Sequence, residues 1–175
     1  MAETSAAKPV KLFVVTLHRD PAILKQAIDR LIREWGDSDF VSQGFPFSET
    51  AYYEPEMGPN LIRRFYSFAR LIAPDSIVEA KLLTNRIETE LIAGSTGRTI
   101  NLDPGYLDTY KVVLASAKFG GQKVYLRDGI YADMTLIRNH GRWESFAWGF
   151  PDFKSGKYDD VLNQIVTLFK NQTKA

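Results

Sequence analysis

Two long amphipathic stretches, each entered from a strand-like run, constrain this chain more than any other feature. The first follows "VKLFVVTL" (10–17), a β-branched and aromatic run of the kind a buried central strand needs, and it opens at Asp20-Pro21. Asp caps a helix by accepting from its first free N–H groups, and Pro suits the first turn because its missing N–H is not needed there. Ile23, Leu24, Ala27, Ile28, Leu31, Ile32 and Trp35 then recur at helical spacing until Gly36, which predicts a helix with one face on a sheet. The second stretch opens at Pro74 and Asp75, carries Leu83, Ile87 and Leu91 at i, i+4, i+8, and is closed by Gly94 and Gly97.

Strand signals fill the intervals. One lies around Phe40, before the loop-like "FPFSETAYYEPEMGPN". "RRFYSFARLI" (63–72) is the third strand, and "RTINL" (98–102) the fourth. The resulting order is β-α-β-β-α-β, which predicts an α+β fold whose first part is a ferredoxin-like βαββαβ half, two helices covering one face of an antiparallel sheet. C-terminal antiparallel strands near 110–117, 123–126, 130–138 and 143–148, and a closing helix from about Tyr158, extend it and are expected to cover the other face. In "KVYLRDGIYADM" a three-residue Arg127-Asp128-Gly129 loop, with Gly129 at positive φ, keeps the faces consistent. It pairs Leu126 with Ile130, Tyr125 with Tyr131, Val124 with Ala132 and Lys123 with Asp133.

With 175 residues, 45% hydrophobic and 25% charged, and no linker-like tract, residues 10–171 read as a single domain behind a disordered tail, 1–9. No run approaches a membrane helix, and "MAETSAAKPV" lacks the apolar centre of a secretory signal. The absence of cysteine excludes disulfides, thiolate nucleophiles and Cys-ligated metal, so the cytoplasm is the expected compartment. A net charge of +1 provides no global attraction for polyanions, which disfavours nucleic acid; no membrane contact is expected, and oligomeric state is left open.

Several catalytic classes are absent. There is no GxxxxGK[ST], GxGxxG or GxSxG pattern, and "GSTGRT" (94–99) lacks the P-loop lysine and follows a helix. His18 and His140 are the two imidazoles, each expected at a strand end or turn. The candidates for chemistry lie elsewhere. Asp103-Pro104-Gly105, in "RTINLDPGYL", reads as a turn closing the fourth strand. It would gather Asn101, Asp103 and Tyr106 at one strand end, where a carboxylate held by turn amides can act as a base. Glu56 lies in a loop with Glu54, Tyr52 and Tyr53, and two carboxylates can divide acid and base roles. Lys81, Asn85 and Glu88 share a helical stripe, a pocket wall in which Glu88 is assigned to the wet flank. On the third strand, alternation puts Arg64, Tyr66, Phe68 and Arg70 on one face, resembling the base-stacking pattern of RNA-recognition modules, with Phe13 as a third ring.

The blocks "FPFSETAYYEPEMG", "RRFYSFARLI", "KLLTNRIE", "INLDPGYL", "KVVLASAK", "VYLRDGIYADMTL" and "WGFPDF", in this order, resemble the prokaryotic domain-of-unknown-function 4416 family from about Val10 to Phe169. The resemblance implies little chemistry. Members are sometimes labelled GTP-binding, but neither a P-loop nor an NKxD-type base-reading motif is present. Gln122 stands where members often carry histidine, so no histidine mechanism is expected there. The expected function is binding of, or catalysis on, a small phosphate-bearing or nucleotide-like ligand. Arg64, Lys81 and Lys118 would meet its anion, Tyr53 and Tyr106 would stack, Asn101 would hydrogen-bond, and Asp103 or Glu56 would supply proton or metal chemistry. Neither a metal nor a cofactor is assigned. The alternatives are a single-stranded RNA-binding sheet and a protein-interaction module built on the aromatic loop 45–53.

Overall fold

The protein is described here by a computed structural model covering residues 1, 3–50, 52–92 and 97–174. Gly94, Ser95 and Thr96, the first half of the "GSTGRT" segment, lie outside the described residues. One antiparallel sheet of nine strands organises what is described. Strand β1 (Val10–His18) is buried along its whole length because it is central, flanked by β4 (Leu61–Ile72) and β5 (Ile100–Leu107). β2 (Ser38–Val41) and β3 (Phe45–Phe47) both pair with β4. The sheet continues from β5 through β6 (Lys111–Ser116) and β8 (Ile130–Asn139) to β7 (Val124–Arg127), with β9 (Arg142–Ser145) also on β8.

Helices lie on both faces. α1 (Pro21–Trp35) starts as its sequence dictates, with the Asp20 carboxylate accepting from the Ala22 N–H at 2.7 Å and Gly36 ending it at φ 87°. Together with α3 (Ile77–Leu91), which follows a 3₁₀ turn at Pro74–Ser76, it buries Leu24, Leu31, Ala80 and Ile87 on Leu12, Val14, Phe68, Ile100 and Leu102. On the opposite face α5 (Asp159–Thr173) lays Val161, Leu162, Ile165 and Phe169 on Phe13, Val15, Phe65 and Leu107. Two short helices, α2 (Glu54–Met57) and α4 (Pro151–Lys154), lie in the connections.

Three expectations need correction. The C-terminal strands extend the sheet edgewise instead of covering it, and the second face is closed by the α4 and α5 segment. Asp103-Pro104-Gly105 is not a turn: β5 runs straight through it, pairing Asp103 with Val15, Pro104 with Val14 and Gly105 with Phe13. β6 pairs with β5 only from Gly105 to Leu107, so Pro104, which has no N–H to give, stands where that flank has no ladder. Gly105 stands where the ladder closes, and a Cβ there would come within 2.7 Å of the Val113 carbonyl oxygen and 2.8 Å of Phe13 Cζ. The hairpin is also tighter than expected. Asp128 and Gly129 both have positive φ, 54° and 75°, and Arg127 faces Ile130, a two-residue loop. The expected Tyr125–Tyr131 and Val124–Ala132 pairs still form, because an irregularity at Leu126 absorbs the extra residue.

Candidate functional site

The short β5–β6 ladder creates the main cleft. Beyond Gly105 the strands diverge, β6 following β8 while β5 stays on β1. The gap holds a cavity of about 470 Å³, within the range of small-molecule sites. Because it passes the open flank of β5, side chains from both sides of the sheet reach it. Asn101 and Asp103 alternate toward the α5 face, whereas Lys81, Asn85 and Glu88 come from α3 on the other.

A continuous chain of polar contacts runs along this gap. Lys81 Nζ, almost completely buried, donates to the Leu102 carbonyl at 3.0 Å and to Asp103 Oδ1 at 3.2 Å. Asn101 Nδ2 donates to Asp103 Oδ2 at 2.6 Å, and Arg98 Nη1 donates to Asn101 Oδ1 at 2.6 Å. Arg98 in turn pairs with Glu56 at 3.5 Å. Both Asp103 oxygens thus accept a hydrogen bond within this chain of contacts, one from Lys81 and one from Asn101.

Glu88 departs from expectation. It is not on a wet flank: it lines the cavity and accepts the Leu102 N–H at 2.6 Å. Burial raises its pKa above the ordinary carboxylate value, against the opposing pull of Lys81 and of the Leu102 N–H. Tyr53 behaves likewise. Its hydroxyl is pushed up to about 12, first by burial and then by the Asp103 charge, so it stays a neutral phenol.

The opposite wall is an aromatic and ionic cluster that sequence reasoning missed. Arg63 pairs with Asp152 with both side chains buried; Tyr158 donates to Asp152 Oδ2 at 3.0 Å, and the guanidinium lies 4.4 Å from the Phe47 ring centroid. A usable signal was present, since alternation places Arg63 on the face of Phe65 and a cation on an apolar face needs a buried counter-charge. Lys123 and Asp133, expected to face one another across the hairpin, form an ion pair at 3.5 Å on the cavity wall. At the mouth, Lys118 donates to the Tyr52 hydroxyl at 2.7 Å and lies 5.0 Å from its ring centroid.

Of the residues expected to form a site, Tyr53, Lys81, Asn101, Asp103 and Lys118 line this cavity. Glu56 reaches it only through Arg98. Tyr106 and Arg64 do not line it. Tyr106 points to the other face and packs beside Ile77, Val113 and Ile130, one residue out of phase with Asp103 on an extended strand. Arg64 lines a separate cleft against α1 with Tyr66. Phe68 is fully buried beneath α1, edge-on to Trp35 at 4.9 Å, and Phe13 is buried on the opposite face, so these rings offer no common surface for bases. Among the described residues no group of three or more His, Cys, Asp or Glu side chains is placed to hold a metal ion, and no helix is long and apolar enough to cross a membrane.

Fold and cleft define a mixed α+β protein with a cavity, lined by both charged and apolar side chains, opened by the splaying of two sheet strands. The particular family follows from the sequence: residues 8–169 match the family described as Domain of unknown function (DUF4416), and the chain belongs to it. No curated protein and no solved structure matches the chain.

Proposed function

We propose that the cleft between β5 and β6 binds a small phosphate-bearing or nucleotide-like molecule, with its anion at Lys118 and its planar part beside Tyr52 and Tyr53. The observation that carries this reading is the charge pairing of the lining. Arg63, Lys81, Arg98 and Lys123 each have a carboxylate partner, whereas Lys118, at the mouth, has only the Tyr52 hydroxyl among the described residues. A cation held against the Tyr52 ring, which itself packs edge-on to Tyr53, without a carboxylate partner, favours an anion attached to a flat group. Where the ligand is also transformed, Asp103 is the base and Glu88, with its raised pKa, the group suited to give a proton. The order β2-β4-β1-β5 with α1 and α3 on one face supports a ferredoxin-like reading of the first half, within one domain; the cysteine-free composition favours the cytoplasm.

The test is a thermal-shift screen of nucleoside phosphates, sugar phosphates and inorganic phosphate on wild type, Lys118→Ala and Asp103→Asn. A ligand at about 100 times its Kd adds roughly 2.7 kcal/mol to wild type, a readily visible shift. Lys118→Ala should weaken that shift at least several-fold. A panel in which nothing binds, or a ligand that stabilises all three proteins equally, removes the reading.

A further inference from the structure

The paired cations of the β5–β6 cleft are not held equally. Arg63 and Lys81 are buried, but the Arg98 side chain is 25% exposed and meets Glu56 through Nε at 3.5 Å, too long for a good hydrogen bond. The Glu56 side chain is itself 53% exposed. An ion pair so placed contributes little, because water solvates the carboxylate about as well as the guanidinium does. Arg98 Nη1 donates to Asn101 Oδ1, and Nη2 has no acceptor among the described residues.

Other donors on this part of the lining are also open. The Tyr52 hydroxyl accepts from Lys118 at 2.7 Å, so its own proton has no acceptor among the described residues. The Thr50 hydroxyl accepts the Tyr52 N–H at 3.1 Å, and its proton is free in the same way. Lys118 gives one of its three protons to Tyr52 and keeps two. Tyr52 and Lys118 are exposed, Thr50 is half-buried, and all three line the cavity with Arg98.

The topology sets the two cations face to face. Arg98 precedes β5 and Lys118 follows β6; in an antiparallel pair those positions lie at the same end, here on the two banks of the gap. Tyr52 stands between them: the Lys118 hydrogen bond and charge lower its pKa, and Arg98 adds to them against desolvation and Glu56.

We infer that the anion taken by this cleft is a terminal phosphomonoester in its dianionic form, held between Lys118 and Arg98 with the Tyr52 and Thr50 hydroxyls donating to its oxygens, and that Arg98 selects it over singly charged anions. The inference rests on the phosphate-binding reading of the cleft and names the substrate class of that site. Two cations on opposite banks match two negative charges, and donors from three chain segments match three terminal oxygens. A phosphodiester or a carboxylate offers two such oxygens and one charge. Glu56, displaced from Arg98, turns to water.

The experiment is NMR of the full chain titrated with phenyl phosphate and, separately, with its singly charged methyl ester, methyl phenyl phosphate, following the amides of Tyr52, Tyr53, Arg98 and Lys118. It is run at about pH 7.5 and about pH 5, on either side of the second phosphate pKa near ~6. At the higher pH the monoester should bind about tenfold more tightly than the diester. At the lower pH, where the monoester carries one charge, the gap should close to about threefold or less. The ratio of the two esters at each pH cancels what the cleft's own carboxylates contribute, Glu56, Glu88, Asp103, Asp133 and Asp152 alike. Arg98→Gln should abolish the preference at the higher pH while the diester still binds. Equal binding of both esters by wild type, or a preference that survives at the lower pH or in Arg98→Gln, overturns the inference and leaves the broader reading of the cleft in place. If neither ester binds, that reading falls and the inference with it. Where Arg98→Gln fails to fold, the comparison of wild type at the two pH values decides.

Discussion

The two cavities differ in how their charges are settled before any ligand arrives. The β5–β6 cleft is large and internally wired: Arg63 is bound to Asp152, Lys81 and Asn101 to Asp103, and Lys123 to Asp133, so a newcomer competes with contacts already made. The α1 cleft is smaller and leaves two buried nitrogens, Arg64 Nε and His18 Nδ1, unpaired on residues that line it, where the larger cleft has one among the described residues, Arg63 Nε. The first should therefore discriminate among ligands through rearrangement of a network.

The strongest way to break this contrast is to cut the wiring. Removing Asp152 with alanine leaves the Arg63 guanidinium buried without its counter-charge and strips the Tyr158 hydroxyl of its acceptor. Loss of one member of a buried ion pair costs about 3–5 kcal/mol, so Asp152→Ala should show that loss in urea denaturation. A loss below about 1 kcal/mol would mean that the wall is not held by this pair.

The second cavity responds to pH. Burial first, and the Arg64 charge second, lower the His18 pKa to about 4, with Asp20 pulling the other way and Lys25, Asp29 and Tyr66 on the remaining walls. The unfolded chain, with its ordinary value near ~6.5, takes up the proton first as pH falls. The contribution is therefore complete above about pH 6.5 and is lost between there and about pH 4, on the order of 2–3 kcal/mol. Denaturation at pH 7 and pH 4 should show this extra loss in wild type but not in His18→Gln. Equal losses in both would show that the histidine is not held neutral.

How far these regions could be read in advance depended on whether local chemistry and long-range pairing agreed. They agree in α1, where Asp20, Pro21 and Gly36 do what their types dictate, and in β1, whose unbroken apolar run matches its place in the sheet. They disagree at Asp103-Pro104-Gly105. Three consecutive turn-formers signal a bend, yet eight residues of pairing with β1 keep the strand extended and the missing Pro104 N–H falls on an unladdered flank. The stripe Lys81, Asn85, Glu88 was legible as a pocket wall, but the side on which Glu88 lay depended on how far β6 splays from β5. Arg63 and Asp152 are 89 residues apart, and only tertiary folding pairs them.

The splay has its own pivot. Gly105→Ala should cost about 1–3 kcal/mol, because the Val113 carbonyl and Leu114, both 2.7 Å from the new methyl group, must give way. It should also weaken ligand binding in the β5–β6 cleft while leaving the His18 resonances in place. An unchanged stability would show that β6 is free to move there, and that the cleft is not shaped by a tight ladder end.

The smallest stability change separates wiring from chemistry at Asp103. Its two oxygens receive Lys81 and Asn101, and Asn101 is oriented by accepting from Arg98. Asparagine supplies one acceptor where two are needed. Its amide must either face the Asn101 amide, donor against donor, or lose Lys81, and a flip of Asn101 to relieve the clash would turn its own amide toward Arg98. Asp103 retains some exposure, 28% of its side chain, and Lys81 keeps the Leu102 carbonyl, so Asp103→Asn should cost only about 1–2 kcal/mol. Backbone NMR of the variant should place the perturbation along Arg98, Asn101 and Lys81, with the α1 cleft silent. If the shifts stay local to residue 103, the chain of contacts does not act as a unit, and the two cavities differ in size rather than in kind.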